Sequence, residues 1–227
     1  MIALSAAMRP EIELIKKSID DPKITKWHER EFISGRLCGK DVVAVQTGVG
    51  KILAAAVTQR LIDQFEPEAL IMSGIGGSLN PDFRRGDLVI GLECLQHDFD
   101  STAFGFKRGE IPYTDYSVIP SDPELVETAL RWSGQLKTGR ILTGDQFIDG
   151  AHKPEYSYLR EELEGDIVEM EGAAAGLTAM INRVPFLIVR AVSDNADGEA
   201  RGSYKKFLKS ASDRSFALIE FLLKEIN

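Results

Sequence analysis

Cysteine is scarce. Cys38 and Cys94 are the only two in 227 residues, too few and too unpatterned for a disulfide framework or a thiolate metal site, and a reducing cytoplasm is the compartment that fits. Positive charge is also in deficit: 27 Lys and Arg stand against 35 Asp and Glu, a formal net charge of -8. That balance disfavours a nucleic-acid backbone or an anionic membrane surface as partner, since both reward clustered cations. Long apolar runs are missing. The apolar start from Met1 to Met8 lacks a basic leader and is soon interrupted by Glu11, and no later run approaches membrane-spanning length, so the expectation is a soluble, unexported protein. Histidine numbers three, and His97-Asp98 has no spaced partner, which leaves no metal or cofactor implied.

What is present is a core. With 44% hydrophobic residues, the chain is long enough for one large α/β domain spanning residues 1–227. The organising stretch runs from Ile167 to Asp197. Asp166 to Glu171 is too short for a core helix and reads as a strand, the small residues from Gly172 to Gly176 read as a helix, and the almost continuously apolar Val184 to Val192 reads as a buried strand. As a βαβ unit, this predicts two strands pointing the same way, with Glu169 and Glu171 at the same sheet edge as Ser193 and Asp194. In open α/β sheets that carboxyl edge is where ligands bind.

Elsewhere the same logic repeats. Met1 to Ala6 reads as a buried strand followed by a helix that starts around Met8-Arg9-Pro10-Glu11, with Pro10 in the first turn where its missing donor costs nothing. Glu11 is then either a simple partner for the helix dipole or a carboxylate held ionised near the dipole's positive end, placed to act as a base on water. Glu31–Leu37 and Asp41–Gln46 flank a turn at Cys38-Gly39-Lys40, and the second strand enters Thr47-Gly48-Val49-Gly50-Lys51 ahead of a helix from Ile52 to Phe65. Ile52 occupies the Ser/Thr position of a phosphate-binding loop and the first Gly is absent, so backbone approach to an uncharged ligand is the better reading. A second glycine loop, Ser73-Gly74-Ile75-Gly76-Gly77-Ser78, follows the strand Ala69 to Met72. Gln96 to Tyr116 is aromatic, Gly- and Pro-containing and aperiodic, the pattern of a functional or interface loop. The expected architecture is a three-layer αβα sandwich around a central mixed, largely parallel twisted sheet, with curling towards a barrel left open.

Gathered at the strand edge are Met8, Glu11, Val49, Ile75, Phe147, Ile148, Glu169, Met170, Glu171, Ser193 and Asp194. Apolar surface with isolated carboxylates suits a neutral, flat, partly polar ligand and would repel phosphate. Two separated carboxylates can protonate a leaving group and activate water, which is the logic of glycosidic hydrolysis through an oxocarbenium-like state.

Ala7-Met8 with Glu11, Thr47 to Lys51, Thr102-Ala103-Phe104-Gly105, Thr143-Gly144-Asp145 with Phe147-Ile148, Val168 to Glu171, and Val189 to Asp194 together resemble the 5'-methylthioadenosine/S-adenosylhomocysteine nucleosidases of the purine nucleoside phosphorylase superfamily. The resemblance covers nearly the whole chain and implies a nucleoside phosphorylase-like fold. It also implies that Asp194 protonates adenine N7, Glu11 is the base on the attacking water and Glu171 binds the ribose hydroxyls. Phe147 would stack on the base and the Ile148 backbone read its edge. Glu169, Met170, Arg190 and Ser193 match residues around the ribose and the catalytic loop, and Met8, Val49 and Tyr204 match the apolar pocket for the 5'-thio group. Phe104 and Pro112 match residues lent to a neighbouring subunit, which implies a homodimer. Ile75 stands where the family carries a small polar residue, and Tyr204 where Phe is usual. Three alternatives stay open: a hydrolase of the same family tuned to 6-amino-6-deoxyfutalosine, a phosphorolytic enzyme of the same superfamily, for which Arg9 would supply a cation but whose Gly-Asp-Pro-x-Arg pattern after the first strand is missing, and a non-catalytic nucleoside sensor.

Overall fold

Alternation along the strands decides the layering. In chain order the elements are β1 (Ile2–Ala6), α1 (Arg9–Lys17), β2 (Asp20–Trp27), β3 (Arg30–Leu37), β4 (Lys40–Gln46), α2 (Lys51–Phe65), β5 (Ala69–Ser78), β6 (Leu88–Gln96), β7 (Val118–Pro120) and α3 (Pro123–Leu130). They continue as β8 (Leu136–Thr143), α4 (Tyr158–Glu161), β9 (Ile167–Glu169), α5 (Gly172–Ile181), β10 (Phe186–Asp194) and α6 (Tyr204–Glu225). The structure, a computed structural model, describes residues 1–149, 153–194 and 204–226, with the side chains of 194 and 204–206 outside the described set. Leu4, Ile71, Leu187 and Val189 face one core with α1, α3 and α6, whereas Ala3, Leu70, Met72 and Ile188 face a second core with α2 and α5. Successive side chains on a strand point to opposite faces, so burying both sets puts helices on both sides of the sheet. Among the described residues, no helix is long and apolar enough to cross a membrane.

The sheet is mixed. Parallel pairs join β1 to β4 and β5, β5 to β10, and β8 to β6 and β9, while β10–β6, β5–β9 and the β2–β3–β4 meander are antiparallel. Because β10 pairs with β5 as well as with β6, the run β10-β6-β8-β9-β5 closes on itself, with β1-β4-β3-β2 extending from β5. The curling left open by the sequence is a five-strand closure.

That closure corrects one expectation. β9 runs parallel to β8, which runs parallel to β6, and β6 is antiparallel to β10, so β9 and β10 point in opposite directions. Their C-terminal residues meet because both pair with the end of β5: Val168 lies opposite Gly77 and Val192 opposite Gly76. The second glycine segment is likewise strand, since β5 continues to Ser78. A Cβ on Gly76 would lie 2.5 Å from Ile167 Cγ2, so glycine here makes room for β9 to cross. Strand β2 carried no sequence signal. It is a largely exposed edge with Pro22 inside it, and edges tolerate what central strands do not.

Candidate active site

Arg190 lies at the bottom of the site, on β10, almost wholly buried. Its Nε and Nη2 donate to Glu169 Oε2 at 3.2 and 2.5 Å, and its Nη1 donates to the Val189 carbonyl at 3.1 Å. Glu169 also accepts from the Thr143 hydroxyl, the Glu171 N–H at 3.0 Å and the Gly172 N–H at 2.8 and 2.9 Å. These amides open α5, so the carboxylate sits on a helix N-terminus and its acceptor capacity is spent on the protein. Glu169 and Arg190 therefore form a buried support, and Glu169 also belongs to the cavity lining.

The next residue but one faces elsewhere. Glu171 Oε1 accepts the Gly50 N–H at 2.8 Å across from the first glycine loop. Gly50 has φ of 95°, a conformation that excludes most side chains and aims this amide at the carboxylate. Glu11 is held from two sides: Oε2 accepts the Met8 N–H at 2.7 Å and Oε1 the Ile75 N–H at 3.0 Å. An ionised carboxylate has about four acceptor positions, so two N–H bonds leave capacity for water. Ile75 makes this contact through its backbone, so the missing small polar side chain does not remove it.

Three buried carboxylates thus share one buried guanidinium. Burial pushes the Glu171 carboxyl up to about 7; Glu169 and Glu11 add to the rise, while Arg190 and the Gly50 N–H oppose it. Glu11 is also raised, by burial first, against the pull of Arg190 and its two N–H bonds. The helix start expected to keep Glu11 ionised is present, but desolvation outweighs it.

These carboxylates line a cavity of about 720 Å³, counting its open mouth. Met8, Glu11, Val49, Ile75 and Ser193 contribute to its wall, as do Phe147, Ile148 and Val168 to Glu171. Phe147 is 73% exposed and stands over the opening, whereas Ile148 is buried. Ser193 Oγ donates to the Gly76 carbonyl at 3.1 Å. Arg190, paired with Glu169, is not part of the wall. Phe104, 84% exposed, and Pro112 are in the outer loop, away from the cavity of their own chain. Asp194 ends β10 one residue beyond Ser193, and Tyr204 opens α6; both side chains lie outside the described residues.

Arg9, the cation a phosphate would need, points away: it is 77% exposed and pairs with Glu13 at 2.9 Å. Among the described residues no Lys or Arg lines the cavity, and no cluster of three metal-binding side chains is present. His97 is buried with its Nδ1 3.1 Å from the Tyr158 hydroxyl, and Asp98 bonds Lys51. A negative, half-apolar cavity of this shape can hold a neutral nucleoside and stabilise positive charge on its sugar.

The phosphorylase superfamily model matches residues 1–224. The 5'-methylthioadenosine/S-adenosylhomocysteine nucleosidase of Staphylococcus haemolyticus is 36% identical over 228 residues, covering 99% of each chain. The chain belongs to that nucleosidase family. Its fold superposes on the family member from Neisseria meningitidis, crystallised in complex with methylthio-immucillin-A, with a TM-score of 0.92 at 34% identity and 99% coverage of both chains. A futalosine hydrolase mutant of Helicobacter pylori is similar too, with a TM-score of 0.91 at 29% identity and 99% coverage of both. Within this nucleosidase site, sequence reasoning missed Gly76, Gly77 and Gln146 on the wall, and Thr143 and the Gly50 amide behind it. Thr143 and Gly50 each end or follow a buried strand at the ligand edge, and that position was the available signal.

Proposed function

We propose that the chain is an N-glycosyl hydrolase that cleaves the N-ribosidic bond of 5'-methylthioadenosine and S-adenosylhomocysteine, releasing adenine and the 5-thio-substituted ribose. The observation that carries this reading is the cavity itself: two carboxylates with free acceptor capacity, Glu11 and Glu171, and no lining cation among the described residues. Water attacks C1' as the bond to N9 breaks. Glu11 takes the proton of the water, Asp194 gives one to adenine N7, and Glu171 accepts from the ribose hydroxyls. Negative charge around the sugar favours the oxocarbenium-like state over the neutral substrate. Phe147 covers the base and the Ile148 backbone reads its edge, with Met8, Val49 and Tyr204 around the thioether. Phe104 and Pro112 complete the pocket of the neighbouring subunit in a homodimer.

Turnover of methylthioadenosine in phosphate-free buffer, followed as free adenine, tests the reaction; dependence on phosphate would reject hydrolysis. Replacement of Asp194 by Asn should lower kcat by roughly 10² to 10⁴ with little change in melting temperature, because Asn keeps the volume but has no proton to give. Undiminished kcat would remove Asp194 from the mechanism. The likeness to the Helicobacter pylori futalosine hydrolase supports a second reading, a preference for 6-amino-6-deoxyfutalosine. Comparing kcat/KM for that nucleoside with the two thio-nucleosides separates them, and failure on both thio-nucleosides would reject the first.

A further inference from the structure

The glycine loop ends in a lysine that no phosphate claims. Lys51, the first residue of α2, turns its ammonium inward to Asp98 Oδ1 at 2.7 Å and Gln96 Oε1 at 3.1 Å. Asp98 Oδ2 accepts the Asp145 N–H at 2.9 Å, and Asp145 Oδ1 accepts the Lys51 N–H at 2.8 Å. Three of these bonds, Lys51 to Asp98, Asp145 to Asp98 and Lys51 to Asp145, close a ring through the loops after β4, β6 and β8, and Gln96 braces it from the side. Lys51 and Asp98 side chains are only 19% and 17% exposed, so solvent screens the pair less than it would a surface bridge. Burial pushes Asp98 up, but the bonds from Lys51 and Asp145 outweigh it and hold the carboxyl below its ordinary range.

The ring abuts the active site on two sides. Gly50, the residue before Lys51, gives its N–H to Glu171. Asp145 lies between Thr143, which bonds Glu169, and the wall residues Phe147 and Ile148. Asp145 Oδ1 would be 3.0 Å from a Cβ on Gly50, so the two loops touch where the ring closes. The geometry points to Lys51, Asp98 and Asp145 as positioning residues that fix the Gly50 amide on Glu171 and hold the Phe147 loop, without touching substrate. This rests on the hydrolase reading for its kinetic consequence only.

Glu171 is faced by Glu169 from β9, Arg190 from β10, Glu11 from α1 and the Gly50 N–H from the loop before α2. Of these, only the Gly50 amide depends on the ring. Opening the ring removes a bond that favours the ionised form, so the acid limb of kcat/KM moves to higher pH.

The test uses Lys51→Met, which keeps the apolar stem, with Asp98→Asn as a second variant should the first fold poorly, and Lys51→Arg as the conservative rescue. Hydrogen exchange of the unliganded protein should quicken in segments 47–52 and 144–149 and not in α3. The kcat/KM on methylthioadenosine should fall roughly 10- to 100-fold, as expected for a misplacement of about 1 Å. The acid limb should rise by about half a pH unit or more, and Lys51→Arg should recover both. Unchanged exchange in those segments overturns the ring. Faster exchange with an unmoved acid limb, and activity that tracks only the folded fraction, overturns the positioning role. Wild-type inactivity on both thio-nucleosides is read from the wild type alone and rejects the substrate reading, while the exchange comparison still reports on the ring.

Discussion

Glu171 carries opposite consequences for stability and for turnover. Its pKa of about 7 in the folded chain exceeds the 4.5 of an unperturbed carboxyl, so the folded state binds the proton more tightly. Stability from this group is fully present below about 4.5 and is lost as pH rises through about 7, because the charged form is the one that burial penalises. At about 1.4 kcal/mol per unit the loss reaches up to about 3 kcal/mol at pH 8. Glu171→Gln, whose amide oxygen can keep the Gly50 N–H bond, should therefore raise the melting temperature at pH 8 and leave it nearly unchanged at pH 5. The same variant should lower kcat/KM by roughly 10²-fold, since a charge-assisted acceptor for the ribose is removed. Melting scans at the two pH values, run beside adenine release, decide it; equal destabilisation at both would show the carboxylate to be a stabilising group. Glu169 has a different character. Paired with Arg190 in the interior, it leaves an uncompensated buried charge if removed, at about 3 to 5 kcal/mol.

The elements that bring these residues together were legible to different degrees. Buried central strands announce themselves by unbroken apolar runs, and β1, β4 and β10 emerged within a residue or two of their expected bounds. Direction was not legible. A strand–helix–strand pattern implies parallel strands only within one open sheet, and β9 and β10 are neighbours through a closed one. Glycines misled for a related reason: Gly74 and Gly76 suggested a loop, but each makes space inside β5, Gly74 for Arg190 Nη1 and Glu11 Oε1, where a Cβ would lie 3.1 Å from both. The carboxylates themselves could be found from strand ends, whereas their partners depend on crossings that no local pattern encodes. Gly76→Ala should cost about 1 to 3 kcal/mol by overpacking against Ile167 and should lower kcat/KM of the folded protein, since β9 carries Glu169 and leads into Glu171. Asp122→Ala is the control. Asp122 caps α3 by accepting the Glu124 and Leu125 N–H groups, so its loss should cost about 1 kcal/mol and leave kcat/KM alone. Urea unfolding with assays at matched folded fraction would expose any failure, and an inert Gly76→Ala would show that β9 can shift without consequence.

At the scale of the whole molecule, the outer loop carries large apolar side chains that a single chain leaves exposed. Phe104 and Tyr113 are 84% and 96% exposed in the outer loop, and Tyr116 and Val118, a few residues further along the chain, are exposed as well. Large apolar side chains exposed along one loop are what a partner surface would cover, and a two-fold contact would cover the same residues on both partners. If Phe104 serves the neighbour's pocket, Phe104→Ala damages a site it does not belong to. A Phe104→Ala chain keeps its carboxylates and a Glu171→Gln chain keeps its Phe104, so in a mixed dimer one of the two pockets is intact. Equal mixing followed by subunit exchange makes half the dimers mixed, so about a quarter of all pockets regain wild-type composition. Adenine release should then climb from the low level of either variant towards about a quarter of the wild-type rate, as symmetric exchange requires. Sedimentation must show dimers throughout. Activity that stays at the mean of the two variants, in dimers shown to exchange, would confine each pocket to one chain and reduce the exposed aromatics to a packing surface.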